Sequence, residues 1–214
     1  MNIEEITNTI INADCMDILK QLPDKCIDLV LTDPPYGIDY GKQIAHTSIK
    51  YGWKQYDSPE WDKKRPSKDL FNQLLRVSKN QIIWGGNYFS DYLPNSQCWL
   101  VWNKGQRDFS LADGELAFTS FDKALRIFDY ARAKQLNSET REHPTQKPLK
   151  LFEWCLQKFS NENDLILDCF SGSGTTAVAC HNLKRRFICI EKDYDYWKAS
   201  VERYNNVKAQ LKLF

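Results

Sequence analysis

An aspartate followed by two prolines and a tyrosine, Asp33-Pro34-Pro35-Tyr36, stands directly after the apolar run Ile27–Thr32. That run has the composition of a buried parallel strand, and the carboxyl end of such a strand is where open α/β sheets do chemistry. Two prolines fix φ and remove two N–H donors, so the turn offers a carboxylate and bare carbonyls to a donor-rich group such as an exocyclic amine. Tyr36 adds a flat face on which a base can stack. A second turn, Cys169-Phe170-Ser171-Gly172-Ser173-Gly174, follows the run Asp164–Asp168 and precedes the helix-forming stretch Thr175–Leu183. Its glycines let the backbone approach a ligand, and the helix N-terminus presents free N–H groups. Glu191 ends the next strand, Phe187–Ile190, where a carboxylate can bind both hydroxyls of a ribose.

Two chemistries compete for this second turn. Gly172-x-Gly174-x-x-Ala177 satisfies the dinucleotide fingerprint, which points to a nicotinamide dehydrogenase. Only about forty residues follow the turn, however, too few for the further strands that a dinucleotide fold places after its first. The amine-accepting turn at Asp33 points instead to group transfer onto a base.

With His143-Pro144-Thr145-Gln146-Lys147-Pro148, the two turns complete an order of motifs. It resembles the permuted β group of S-adenosylmethionine-dependent DNA amino-methyltransferases, in which an Asp-Pro-Pro-Tyr motif precedes an F-x-G-x-G motif with the target-recognition region between them. Asn12-Ala13-Asp14 matches the acidic residue that this family carries after a short strand ahead of the catalytic motif, so the resemblance runs from Asn12 to Trp197. It implies transfer of a methyl group from S-adenosylmethionine to the N6 amine of adenine in a specific site of double-stranded DNA. Transfer would be a direct in-line displacement onto a flipped-out base. Cytosine-N4 members more often carry a serine in place of the aspartate. A cytosine-N4 enzyme, an RNA methyltransferase and a catalytically idle DNA-binding subunit are the alternatives. No cysteine follows a proline, as the nucleophile of carbon-5 cytosine methyltransferases does.

The resemblance also implies roles. Asp33, Pro34, Pro35 and Tyr36 form the catalytic turn, with Asp33 and the Pro34 carbonyl accepting hydrogen bonds from the target amine. Phe170, Gly172, Gly174 and Thr175 line the methionine part of the cofactor, with Ser171 and Ser173 in the same turn and Asp168 at its start. Glu191 takes the ribose and Asp14 the adenine amine of the cofactor, while Thr145 and Lys147 approach its carboxylate. Tyr36 is the expected stacking partner of the target base, and Trp84 is a second candidate that reads equally well as core. For DNA contacts, Trp53, Lys54, Lys63, Lys64, Arg65, Asn103, Lys104 and Arg107 combine aromatic, amide and basic groups in loop-like settings. Each cluster also reads as an ordinary solvated charged face. No set of residues has metal-ligand spacing.

Positioning these residues falls to a fold in which strand, glycine-rich turn, helix and strand succeed one another across the last third, a βαβ unit. Asp69–Val77 reads as an amphipathic helix and Gln81–Trp84 as a strand before Gly85-Gly86. Lys147-Pro148 opens a helix that runs to Phe159, and Asp193 caps another carrying Trp197, Val201, Tyr204, Val207 and Leu211 at helical steps. The expectation is one α/β domain over residues 1–214, with a doubly wound, mostly parallel sheet of the S-adenosylmethionine methyltransferase (Rossmann-like) type, circularly permuted. Residues 1–41 would hold the catalytic motif, 42–142 an inserted target-recognition region plus sheet strands, and 143–214 the cofactor-binding region. The irregular stretch Tyr40–Arg65 reads as an inserted functional loop.

Composition narrows the class further. With 214 residues, 42% hydrophobic and 27% charged, the chain is neither disordered nor collagenous. No apolar run nears the roughly 18–20 residues of a membrane span, and the first ten residues carry no basic leader. Seven scattered cysteines without a C-x-x-C pair read as small core residues in a reducing cytoplasm. A homodimer and a cognate restriction endonuclease stand as open partners beside DNA. The net charge of +1 conceals an asymmetry: residues 1–41 hold two basic and eight acidic groups, residues 42–150 hold 18 and 12, and residues 151–214 hold 9 and 8. DNA is therefore expected against the basic middle segment, with weak, salt-sensitive affinity for DNA lacking the correct site.

Overall fold

The structure is a computed structural model, and it describes residues 1–39, 63–107, 112–131 and 146–210. Trp53, Lys54, His143, Thr145 and Leu211 lie outside the described residues, as does most of the Tyr40–Arg65 loop.

Eight strands form one sheet: β1 (Thr9–Asn12), β2 (Ile27–Thr32), β3 (Ser78–Trp84), β4 (Trp99–Asn103), β5 (Gly114–Thr119), β6 (Arg126–Asp129), β7 (Leu165–Asp168) and β8 (Arg186–Glu191). Their order is β1-β8-β7-β2-β3-β5-β4-β6. The C-terminal strands β7 and β8 thus sit between the N-terminal β1 and β2, the signature of the permuted order expected from the motifs. Pairing is parallel everywhere except where β5 meets β3 and β4. Among the described residues one strand, β5, runs against the other seven.

The period-2 pattern of the strands puts apolar side chains on both faces, which helices then cover. Leu29, Leu31, Ile82 and Trp84 pack on one face with Leu151, Phe152 and Cys155 of α4 (Leu149–Phe159) and with Ala177 and Cys180 of α5 (Thr175–Asn182). On the other face Val30, Ile83, Ile188 and Ile190 pack with Ile18 and Leu19 of α2 (Cys15–Leu19) and with Leu70, Phe71 and Leu74 of α3 (Lys68–Val77). A one-turn helix α1 (Ile3–Ile6) precedes β1, and α6 (Tyr194–Ala209) closes the described chain. The sheet is doubly wound.

Local chemistry sets the helix ends. Ser67 caps α3, and Arg76 in its last turn reaches the carbonyls of Leu19 and Leu22 at the end of α2. Asp193 caps α6 by accepting from the Asp195 and Tyr196 amides. Pro148 stands at the N-cap of α4, where a missing N–H leaves no helical bond unmade. Trp84 is fully buried, so its place is in the core and not at the mouth of the site. All seven cysteines are free thiols, six of them buried. No helix among the described residues is long and apolar enough to cross a membrane.

Candidate active site

Parallel strands deliver their carboxyl ends to one edge, and there a cavity of about 820 Å³ opens. Its volume falls within the roughly 300–1,000 Å³ typical of small-molecule sites. Asp14, Asp33, Pro35, Lys147, Asp168, Phe170, Ser171, Gly172, Ser173, Thr175 and Glu191 all line it, so the two turns singled out in the sequence meet at one space.

The second turn is built by hydrogen bonds that fix its backbone. Gly172 and Gly174 both take positive φ, 48° and 75°, and Gly174 is the N-cap of α5. A Cβ on Gly174 would lie 3.0 Å from Ser200 Cβ in α6, so the helix packs on the bare glycine. Arg203 of α6 donates to the Ser173 carbonyl and to the hydroxyls of Ser173 and Thr175, tying that helix to the turn. Glu191 accepts from the Gly172 amide at 2.8 Å and from the Asp193 amide at 2.9 Å. Burial nevertheless raises its carboxyl above the ordinary value, against those two N–H bonds. Ser171 Oγ is buried without a hydrogen-bond partner at the cavity wall.

Asp168 joins the turn to β2. Its carboxylate accepts from Thr32 Oγ1 at 2.7 Å, from the Phe170 amide at 3.1 Å, and from Thr176 Oγ1. Burial pushes its carboxyl up to about 6 despite these bonds. Asp14 caps α2 through the Met16 amide and pairs with Lys192 at 2.9 Å; Lys192 and the Met16 amide hold its carboxyl below the usual range.

The first turn carries a set of alternating charges in which the two lysines are buried and the Asp33 and Glu115 carboxylates are partly buried. Lys147 Nζ stands 2.6 Å from Asp33 Oδ2, 2.9 Å from Glu115 Oε2 and 3.2 Å from the Tyr36 hydroxyl. On the far side, Lys104 Nζ lies 2.6 Å from Glu115 Oε1. The Tyr36 hydroxyl donates to Asp33 Oδ1 at 2.7 Å. Burial would raise Glu115, but Lys147 and Lys104 override it and hold the carboxyl at about 2. Burial raises Asp33 further than the adjacent Lys147 lowers it. The two carboxylates hold Lys147 above its usual value against the pull of burial.

Several expected placements differ. Lys147, expected at the cofactor carboxylate, has its ammonium on Asp33, because β2 and the segment before α4 bring residues 114 positions apart together. Tyr36, expected to offer its face to a base, stacks on Tyr88 with centroids 4.7 Å apart and planes 14° apart. Gly85 makes room for that ring: a Cβ there would fall 2.1 Å from Tyr36 Cε1. Lys104, expected on DNA, is 8% exposed and committed to Glu115, with Trp102 beneath its ammonium. Arg65, also expected on DNA, is spent on the Tyr88 carbonyl, Asp91 and the Tyr92 hydroxyl. Asn103 bonds Asp129 and the Gly105 amide, while Arg107 is exposed near Asp113 at 3.9 Å. Lys63 and Lys64 are exposed, and Lys64 lines the cavity. Pro34, Tyr36 and Gly174 adjoin lining residues in the chain without lining the cavity themselves.

Glu115 and Arg203 are the residues that sequence reasoning missed. A lone acid between Gly114 and the apolar run Leu116-Ala117-Phe118 is a faint signal for a functional strand start.

The chain is similar to proteins of known family and fold. The family model described as DNA methylase, which takes in N6 and N4 amino-methyltransferases, matches residues 42–202. The type II methyltransferase M.HinfI of Haemophilus influenzae is 28% identical over an alignment of 257 positions, gaps included, covering 97% of this chain and 71% of that protein. The type II methyltransferase M2.MboI of Moraxella bovis is 26% identical, covering 95% and 89%. Among solved structures, the M1.HpyAVI–SAM complex superposes with a TM-score of 0.60 at 24% identity, covering 92% of this chain and 98% of that one. The cytosine-N4-specific PvuII DNA methyltransferase gives a TM-score of 0.60 at 15% identity, covering 93% and 90%.

Proposed function

The chain belongs to the DNA methylase family, and from that membership we propose that it transfers a methyl group from S-adenosylmethionine to the N6 amine of adenine in a specific DNA sequence. The observation that carries this reading is the Asp33 carboxylate, set between two prolines and a buried strand end on the wall of the cavity.

The cavity residues suit the cofactor chemically. Glu191 is a carboxylate already oriented by two backbone amides, as binding of a ribose diol requires, and the orphaned Ser171 hydroxyl needs a partner that a polar ligand can supply. Glu191 would take the ribose, Asp14 the adenine amine, and Phe170 with the Gly172–Thr175 backbone the methionine part. When bound, the cofactor supplies an electrophilic methyl group on a sulfonium centre.

The chain's own residues would do the rest. An adenine amine is a weak nucleophile because its lone pair is delocalised into the ring. Asp33 and the Pro34 carbonyl, accepting its two N–H bonds, favour the geometry that frees the lone pair, and fixed positioning supplies much of the remaining acceleration. The N–C bond would form as the methyl–sulfonium bond breaks and leaves a neutral thioether, and the amine would give up one of those two protons to water by way of its acceptors. To reach Asp33 at the carboxyl edge of the sheet, the base would leave the duplex. Target recognition would fall to the region 42–142.

The test is to incubate unmethylated DNA with methyl-labelled cofactor, digest it to nucleosides and separate them. N6-methyladenine is expected. Label found only in N4-methylcytosine would overturn the adenine assignment, and label in RNA but not DNA would overturn the substrate.

A further inference from the structure

Four charged side chains at the site form a chain of alternating sign, Lys104–Glu115–Lys147–Asp33, with contacts of 2.6, 2.9 and 2.6 Å. They come from four places: Lys104 follows β4, Glu115 opens β5, Lys147 precedes α4 and Asp33 follows β2. Lys147 is 6% exposed at its side chain and Lys104 is 9% exposed, so neither ammonium is solvated as a surface lysine would be. A buried ammonium is tolerated only when paired, and Lys147 has two carboxylates and a phenol oxygen within 3.2 Å.

We propose that Lys147 is a positioning residue for the reaction: held from behind by Glu115, which Lys104 anchors, its ammonium keeps the Asp33 carboxylate ionised and turned as an acceptor for the target amine. This rests on the methyltransferase reading of Asp33 and reassigns Lys147 from the cofactor to the catalytic turn.

The chemistry requires such a group. A neutral Asp33 would present a hydroxyl donor on one oxygen, and a donor facing an amine N–H repels where an acceptor is needed. Burial drives Asp33 toward that neutral form, and the like charge of Glu115 adds to it. Asp168, at the end of β7, is a further nearby carboxylate whose ionisation Asp33 disfavours. Against these, the facing groups that favour the carboxylate are the Lys147 ammonium and the Tyr36 hydroxyl. Glu115 has a double role: it fixes Lys147 in space, and by its own charge it opposes what Lys147 does to Asp33. Lys104 tempers that opposition by pairing with the other Glu115 oxygen. Lys147 therefore acts through Asp33 without touching the reacting atoms.

The test reads Asp33 directly. Protein labelled with 13C at the aspartate carboxyl carbons is titrated by NMR, and Asp33→Asn identifies the resonance by its loss. Lys147→Met is expected to raise the Asp33 midpoint by a pH unit or more, and Glu115→Gln to lower it. Should Lys147→Met fail to fold, Lys147→Gln, which keeps a hydrogen-bond donor but carries no charge, takes its place with the same expected rise. Unmoved Asp33 titrations in the folded variants would overturn the proposal.

Two further readouts separate a positioning role from others. Calorimetric titration with S-adenosylmethionine should give Lys147→Met a Kd within about threefold of the unsubstituted protein. A tenfold loss with Asp33 unmoved would overturn the proposal and return Lys147 to the cofactor. On mixed-sequence unmethylated DNA, the acid limb of the rate profile should move up in Lys147→Met and be largely restored in Lys147→Arg. A protein that methylates no DNA at any pH would defeat the proposed function, while the carboxyl titration would still decide the role of Lys147.

Discussion

Asp33 takes its chemical character from the groups around it. In water it would be one carboxylate among many; here it is partly buried beside a lysine, a second carboxylate and a tyrosine hydroxyl. Asp33→Ala should lower the methyl-transfer rate by about 10²-fold or more, in line with removal of one preorganised transition-state partner, and leave cofactor affinity unchanged, as labelled-methyl assays and calorimetry would show. Asp168 allows a test that needs no substrate. Its carboxyl titrates at about 6 in the fold against an ordinary 3.8. Because the folded state holds the proton more tightly, this group's contribution to stability is full below pH 3.8 and is lost as pH rises to about 6. A shift of that size corresponds to roughly 3 kcal/mol. The difference in unfolding free energy between the unsubstituted protein and Asp168→Asn should change by about that amount across this window, measured by urea denaturation; a difference independent of pH would refute the assignment.

The elements were legible in the sequence where their signals are local. The strands at Ile27–Thr32 and Leu165–Asp168, and the helices at Lys68–Val77, Thr175–Asn182 and Tyr194–Ala209, stand within a residue or two of the pattern that announced them. Apolar periodicity and capping act over a few residues, so a single chain displays them. The stretch holding β4, β5 and β6 showed only that it contained strands. Their direction is not a local property, and it matters most for β5. Running against its neighbours, β5 presents its first residues at the edge where the parallel strands present their last, which places Glu115 beside Asp33. The turn after β3 shows the same dependence on distant structure. Gly85 takes φ of 68° and faces the Tyr36 ring. Gly85→Ala should cost about 2–4 kcal/mol, combining a left-handed backbone with an overpacked contact, seen as a lower denaturation midpoint with an unchanged slope. Methyl transfer should fall even where the variant is fully folded, since the displaced ring carries the hydroxyl that donates to Asp33.

At the scale of the whole molecule, a net charge of +1 is the sum of an acidic N-terminal segment and a basic middle. Folding commits some of those basic groups internally: Lys104, Lys147 and Arg65 all close ion pairs with acids of this chain. The remaining positive charge of residues 42–150 must serve any electrostatic attraction to phosphate. Binding of DNA without the correct site should therefore show a modest salt dependence, with a log–log slope near −0.9 per phosphate neutralised. Substituting Lys104 with Met should leave that slope unchanged, whereas a slope reduced by about one unit would mean that Lys104 reaches phosphate after all.

The sequence by itself determined the two turns, the strands and helices that carry them, and the acidic residue that faces the second turn. All of these depend on contacts within a short stretch of chain or within one βαβ unit. Only the tertiary structure decided what Asp33 faces. The insertion of β7 and β8 beside β2, and the reversal of β5, bring together ammonium and carboxylate groups separated by up to 114 residues. A charge has no sequence-local signature of its partner: buried at a sheet edge, it pairs with whatever opposite charge the strand order delivers.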